Sequence, residues 1–139
     1  RGIEKKISIV LVSDHGMAPY TVRNSIILDE MFDTNDAERI FWVSEFTQIF
    51  PKPGKEDDIY NSIKQKLPPT ASIYRRNEMP DEWNLRSSAR LAPLIVVPQP
   101  GTNLTTRQRF ERAEREGTLD RTRGAHAYDN RGEPMRALF

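Results

Sequence analysis

Residues 9–20 read IVLVSDHGMAPY, an apolar run that stops abruptly at Ser13-Asp14-His15-Gly16-Met17. A carboxylate beside an imidazole offers oxygen and nitrogen donors of the kind zinc collects, usually four converging on one point. In a regular strand Asp14 and His15 would face opposite sides. At a strand end the backbone can turn, and Gly16 permits conformations that bring both side chains round. In open α/β sheets ligands gather at the carboxyl ends of strands, so position and chemistry agree on a site at this loop. Taken alone, the pair is a weak signal, better read as a hydrogen-bonded aspartate and a satisfied histidine in a turn. Ser13, Asp14 and His15 also contain the residue types of a hydrolytic triad, but consecutive neighbours cannot form its relay geometry.

The remaining donors are few. The chain of 139 residues has no cysteine and only two histidines, His15 and His126. Disulfides and thiolate zinc sites are thereby excluded, and any metal site must draw on those two imidazoles and on carboxylates. His126 lies in a glycine-opened loop, GAHAYDN, where Tyr128, Asp129 and Asn130 supply hydrogen-bonding groups able to orient an imidazole. Lys and Arg number 21 against 20 Asp and Glu, a net charge of +1. No global field recruits nucleic acid or an acidic membrane surface. No apolar run reaches the roughly 18 residues that a membrane-spanning helix requires, and no signal peptide is recognisable.

The elements that must position these groups follow from pattern. Residues 5–13, KKISIVLVS, form a short β-branched apolar run expected as a strand buried on both faces. Residues 39–50, RIFWVSEFTQIF, predict one long strand or a strand pair, closed by Pro51 and Pro53-Gly54. KEDDIYNSIKQKL spaces Ile59, Ile63 and Leu67 four apart, with acids first and lysines last. That predicts an amphipathic helix matched to its dipole and stopped by Pro68-Pro69. ASIYRR and the proline-bounded APLIVVPQPG predict two further strands. Residues 104–117 predict a helix opened by Thr102 or Asn103 and closed by Gly117, with i,i+4 pairs Arg107–Glu111, Glu111–Arg115 and Arg112–Glu116. Alternating strands and helices favour an α/β class. The ends, a core-strand start and a terminal MRALF that reads as the opening of another strand, are expected of part of a larger catalytic domain.

Taken together, VSDHGM and the later GAHAYDN resemble the nucleotide pyrophosphatase/phosphodiesterase family of the alkaline phosphatase superfamily. The segment between them, SIYRRNEMPDEWNLRSSARLAPLIVV, is similar to that family's link, with its Ile-Tyr start, Pro-x-x-Trp and Arg-x-x-Pro before an apolar strand. The resemblance implies an alkaline-phosphatase-like fold whose central, largely parallel sheet is flanked by helices, of which residues 1–139 would be the C-terminal portion. It implies two zinc ions, one bound by Asp14 and His15, the other by His126. The remaining ligands and a threonine nucleophile are expected upstream, so residues 1–139 alone are expected to be inactive. The implied substrates are small phosphodiesters or nucleotides, and the implied location is extracellular or membrane-tethered. Two metals about 4 Å apart suit in-line attack on a phosphodiester, and metal activation is what a threonine hydroxyl needs. Family members usually carry glycine after the late histidine, where this chain has Ala127; the methyl is tolerable at negative φ, and a positive φ would force the loop to shift. A phosphomonoesterase or phosphonate hydrolase of the same superfamily would share these ligands, and a metal-free relative could serve as a binding module.

Other features have plainer readings. Asn103-Leu104-Thr105 fits the N-glycosylation sequon. The Arg/Glu helix could bind a partner or nucleic acid, but its charges nearly cancel, as on a solvated face. Trp83 could stack on a ligand or anchor its long loop to the core.

Overall fold

A computed structural model describes residues 7–138. Its centre is the apolar run LIVVP, strand β6 at Leu94–Pro98, every residue of which is buried. With side chains alternating across a strand, Leu94 and Val96 enter one core while Ile95 and Val97 enter another. Such burial on both faces is what makes the run continuous rather than alternating. The other strands here are β1 (Ala18–Tyr20), β2 (Ile26–Ile27), β3 (Ala37–Phe41), β4 (Thr47–Pro51), β5 (Ala71–Arg75), β7 (Leu104–Thr105) and β8 (Arg123–Ala125).

β6 sits between β4 and β5 in a four-stranded sheet of order β3-β4-β6-β5, antiparallel at every pairing. Residues 39–50 are thus two strands, β3 and β4, rather than one. The α/β class holds. The expected largely parallel sheet does not extend over the described residues, where the only parallel pair is β2 with β7.

Helix α1 (Glu56–Lys66) carries Glu56, Asp57 and Asp58 in its first turn and Lys64 and Lys66 in its last, complementing its dipole at both ends. Its Ile59, Tyr60 and Ile63 pack with Ile49, Ile73, Leu94 and Val96 in the larger core. The smaller core, on the opposite face of the sheet, gathers Met79, Leu91, Ile95 and Val97, with Phe46, Tyr74, Trp83 and Leu85 against it. Trp83 anchors its loop there, edge-on to Tyr74 at 5.4 Å between ring centres.

Three expected elements are corrected. Helix α2 runs Arg107–Arg115 and is capped by Thr106, whose hydroxyl accepts from the Arg109 amide, not by Thr102 or Asn103. Leu104 and Thr105 are diverted into β7 because β2 offers them a parallel partner. Of the expected helix pairs, Arg112–Glu116 and Glu111–Arg115 form, while Arg107 reaches across to Glu30. The strand expected at residues 5–13 is not formed in its described part, residues 7–13; Lys5 and Lys6 lie outside the described residues. A strand needs a ladder of backbone partners. Here the described backbone contact is a single one at the end of the run, the Ser13 amide donating to the Leu138 carbonyl, and Ile9 stays 89% exposed. The strand expected from MRALF is likewise absent among the described residues, where a 3-10 turn, Glu133–Met135, precedes irregular chain; Phe139 lies outside them.

If the larger core is the stabilising unit, Ile63→Ala should lower unfolding free energy by about 2–5 kcal/mol. Exposed Gln65→Ala on the same helix should change it by under about 0.5 kcal/mol. Urea unfolding midpoints of the two variants check this.

Candidate metal centre

β1 begins just after His15 and β8 ends just before His126. The two strands pair antiparallel, Ala18 opposite Ala125 and Tyr20 opposite Arg123. Antiparallel pairing puts the start of one strand beside the end of the other, so both histidines emerge at the same end of the ribbon. Their rings stack, with centres 4.1 Å apart and planes inclined by 16°. The ribbon is held from below by a small apolar cluster of Ala18, Ala125, Tyr128 and Met135.

The Asp14-His15 loop is laced to the segment after the 3-10 turn. The Gly16 amide donates to the Met135 carbonyl at 3.1 Å, and the Leu138 amide donates to the Ser13 hydroxyl at 2.7 Å. Gly16 is needed for this approach rather than for a left-handed backbone: a Cβ there would overlap the Pro134 carbonyl oxygen. His15 Nδ1 lies 2.7 Å from the Gly16 carbonyl oxygen. A carbonyl only accepts, so Nδ1 carries the hydrogen of the neutral ring and Nε2 presents its lone pair. That Nε2 is 3.6 Å from Asp14 Oδ2. Two bonds of about 2.0–2.2 Å to one zinc, at a near-tetrahedral angle, hold their donor atoms roughly 3.3–3.6 Å apart. The donor pair therefore fits a shared cation, and Asp14, 87% exposed at its side chain, is accessible to one. Among the described residues no cluster of three or more His, Cys, Asp or Glu side chains is arranged around a single ion. The arrangement is a neighbouring carboxylate–imidazole pair with a second imidazole stacked beside it.

The groups expected to orient His126 turn elsewhere. Tyr128 is buried and its phenol donates to the Asn103 side-chain carbonyl; burial also pushes its pKa up. Asp129 accepts from the Arg131 guanidinium and amide and, at 3.3 Å, from Trp83 Nε1. Chiefly through Arg131, its carboxyl is held down at about 2. Asn130 is exposed and borders a small cavity beside Trp83. Among the described residues no hydrogen bond joins these three side chains to His126: the buried Asn103 has taken Tyr128, Arg131 has taken Asp129, and Asn130 faces solvent. They fix the loop, and through it the imidazole only indirectly.

Asn103 is the residue that sequence reasoning misplaced. Its side chain is 1% exposed, it accepts from Tyr128 and donates to Glu45 Oε1 at 3.2 Å. The folded chain does not offer it as a glycosylation acceptor; the Asn103 side chain is a buried polar junction between Glu45, in the loop between β3 and β4, and the late loop.

Ala127 has φ 72°, in the left-handed region that favours glycine. An L-residue there costs about 1–2 kcal/mol, more than the roughly 0.4–1 kcal/mol that glycine adds to unfolded-chain entropy. Ala127→Gly should therefore stabilise the fold by about 0.5–1 kcal/mol. Gly16→Ala should destabilise it by about 1–3 kcal/mol, since backbone must give way. Thermal unfolding of both variants tests the opposite signs.

Comparison with known proteins gives one answer. The sequence matches the family described as type I phosphodiesterase / nucleotide pyrophosphatase over residues 1–129. Human ectonucleotide pyrophosphatase/phosphodiesterase family member 5 is 26% identical over 133 residues, covering 96% of this chain and 26% of that protein. A Schizosaccharomyces pombe protein described as an uncharacterized pyrophosphatase/phosphodiesterase is 32% identical over 148 residues, covering 100% of this chain and 29% of its own. Among solved structures, human ectonucleotide pyrophosphatase/phosphodiesterase 5 superposes with a TM-score of 0.75 at 26% identity, covering 91% of this chain and 31% of that one. The murine counterpart, an inactive variant in complex with AMP, superposes with a TM-score of 0.74 over the same shares. The chain thus spans less than a third of the length of these relatives. On both sequence and fold, it belongs to the type I phosphodiesterase/nucleotide pyrophosphatase family.

Proposed function

We propose that the protein carrying this chain hydrolyses phosphodiester or phosphoanhydride bonds, often in nucleotides, and does so with two zinc ions. The observation that carries the reading is the ribbon geometry: His15 and His126 face each other at one end, with Asp14 3.6 Å from the free nitrogen of His15. Asp14 and His15 would hold one ion and His126 the other. When bound, such a pair of ions supplies Lewis acidity to the non-bridging oxygens and activates the attacking hydroxyl.

The chain's own contribution is to orient. The Gly16 carbonyl fixes the His15 tautomer, and the Asp14 carboxylate brings the negative charge that a cation site needs. The β1–β8 register decides how far apart the imidazoles stand. The nucleophile and further ligands belong to the remainder of the same catalytic domain. The exposed apolar run at residues 7–12 is then the surface which that remainder covers. Relatives named ectonucleotide pyrophosphatases support a location outside the cytoplasm, secreted or tethered; no described helix is long and apolar enough to cross a membrane. A nucleotide substrate is supported by the relatives named bis(5'-adenosyl)-triphosphatase and by the AMP complex of the murine relative.

A metal-free binding module is the second reading, favoured by the strained Ala127 next to His126. The two separate on the natural polypeptide. The hydrolase reading predicts about two zinc ions per chain by elemental analysis. It also predicts kcat/KM on a nitrophenyl nucleotide ester falling on the order of 10²–10³-fold or more in Asp14→Ala and in His126→Ala. Absence of both zinc and turnover from the purified protein would favour the module, and unchanged turnover in both variants would overturn Asp14 and His126 as ligands. Residues 1–139 expressed alone should show no turnover, and activity that a chelator abolishes would refute the upstream nucleophile.

A further inference from the structure

The opposite end of the same ribbon borders a different chemistry. Tyr20 and Arg123, the last register pair of β1 and β8, line a cavity of about 470 Å³ that continues under α2 and along β7. Its charged lining is Arg109, Arg112, Arg123 and Glu116. Arg112 is committed to Glu116 at 2.8 Å. The neighbouring arginines are matched as well: Arg107 to Glu30, Arg115 to Glu111, and Arg23 to Asp120. Arg109 and Arg123 differ. Among the described residues neither guanidinium has an ion-pair or hydrogen-bond partner, though both border the cavity. Ser25 and Ser44 also line it, and neither hydroxyl makes a hydrogen bond among the described residues.

The lining thus holds an excess of two positive charges over a space of ligand size, with unused donors of the type that bind oxyanions. Arginine's planar fork matches phosphate geometry bidentately, and a phosphate monoester carries about −1.5 to −2 charges at neutral pH, close to the excess. Val22, Leu104 and Ala113 supply apolar wall on which the body of an ester can rest. Arg123 Cα is at most about 10 Å along the chain from that of His126 at extended rise, so the cavity and the histidine pair share one supporting strand.

We propose that this cavity is a binding site, built on residues other than the histidine pair, for a small phosphate-bearing molecule gripped by Arg109 and Arg123. The chemistry is shared by free phosphate and by phosphate monoesters, which the measurement separates. Calorimetric titration of the natural polypeptide, in excess chelator so that no metal-dependent phosphate binding intervenes, would use inorganic phosphate and glycerol phosphate against chloride at matched ionic strength. Saturable binding at a Kd below about 1 mM is expected, weakened about tenfold or more by Arg109→Gln and by Arg123→Gln and unchanged by His15→Ala. Tighter binding of glycerol phosphate assigns the site to an ester; equal binding assigns it to the free ion. Absence of saturable binding of either probe, or binding that both arginine variants retain, overturns the proposal. Arg109 is exposed on the helix surface, so its variant should fold, and circular dichroism verifies that it has.

Discussion

The pairing of β1 with β8 is the contact on which the rest depends. It is only three residues long on each side, yet it joins the chain's two histidines from nearly opposite ends of the sequence. Nothing local could do this. The loop-closure cost of bringing such distant segments together must be met by burial, and the cluster of Ala18, Ala125, Tyr128 and Met135 beneath the ribbon supplies it. Small residues at Ala18 and Ala125 are what let the two backbones and the Tyr128 ring share that space.

The ribbon is in turn referred to the sheet through polar junctions rather than through apolar packing. Tyr128 bonds to Asn103, Asn103 bonds to Glu45, and the Ile26 amide donates to the Asn103 carbonyl at 2.7 Å. Trp83 on the opposite core bonds to Asp129. Buried polar groups that are fully partnered specify a single geometry more sharply than apolar contacts do. The late loop is thus tied at Tyr128 and again at Asp129, and the left-handed Ala127 is the strain this tethering sustains.

Much of the sheet was legible. β4, β5, β6 and α1 lie where apolar runs, charge order and prolines placed them, because each is decided by burial or propensity within a few residues. The failures share one cause, a partner distant in sequence. Leu104 and Thr105 read as helix until β2 is known to lie beside them, and residues 7–13 read as strand although the described residues offer them no ladder. The ribbon itself was illegible: APY and RGA have no periodicity, and contain a proline and a glycine. That His15 and His126 belong together was therefore readable only from the resemblance of the two loops to a family, not from pattern. The partners of Tyr128 and Asp129 were missed for different reasons. Asn103 was hidden behind its sequon, whereas Arg131, two residues from Asp129, could have been found by asking which cation lay nearest.

The central claim is that Asp14, His15 and His126 are metal ligands, and anomalous scattering at the zinc edge from crystals of the natural polypeptide tests it most directly. The account predicts a peak about 2.0–2.2 Å from both Asp14 and His15, and a second within the same distance of His126, about 4 Å from the first. Zinc-supplied crystals in which the histidines remain stacked with no anomalous peak beside them would contradict it.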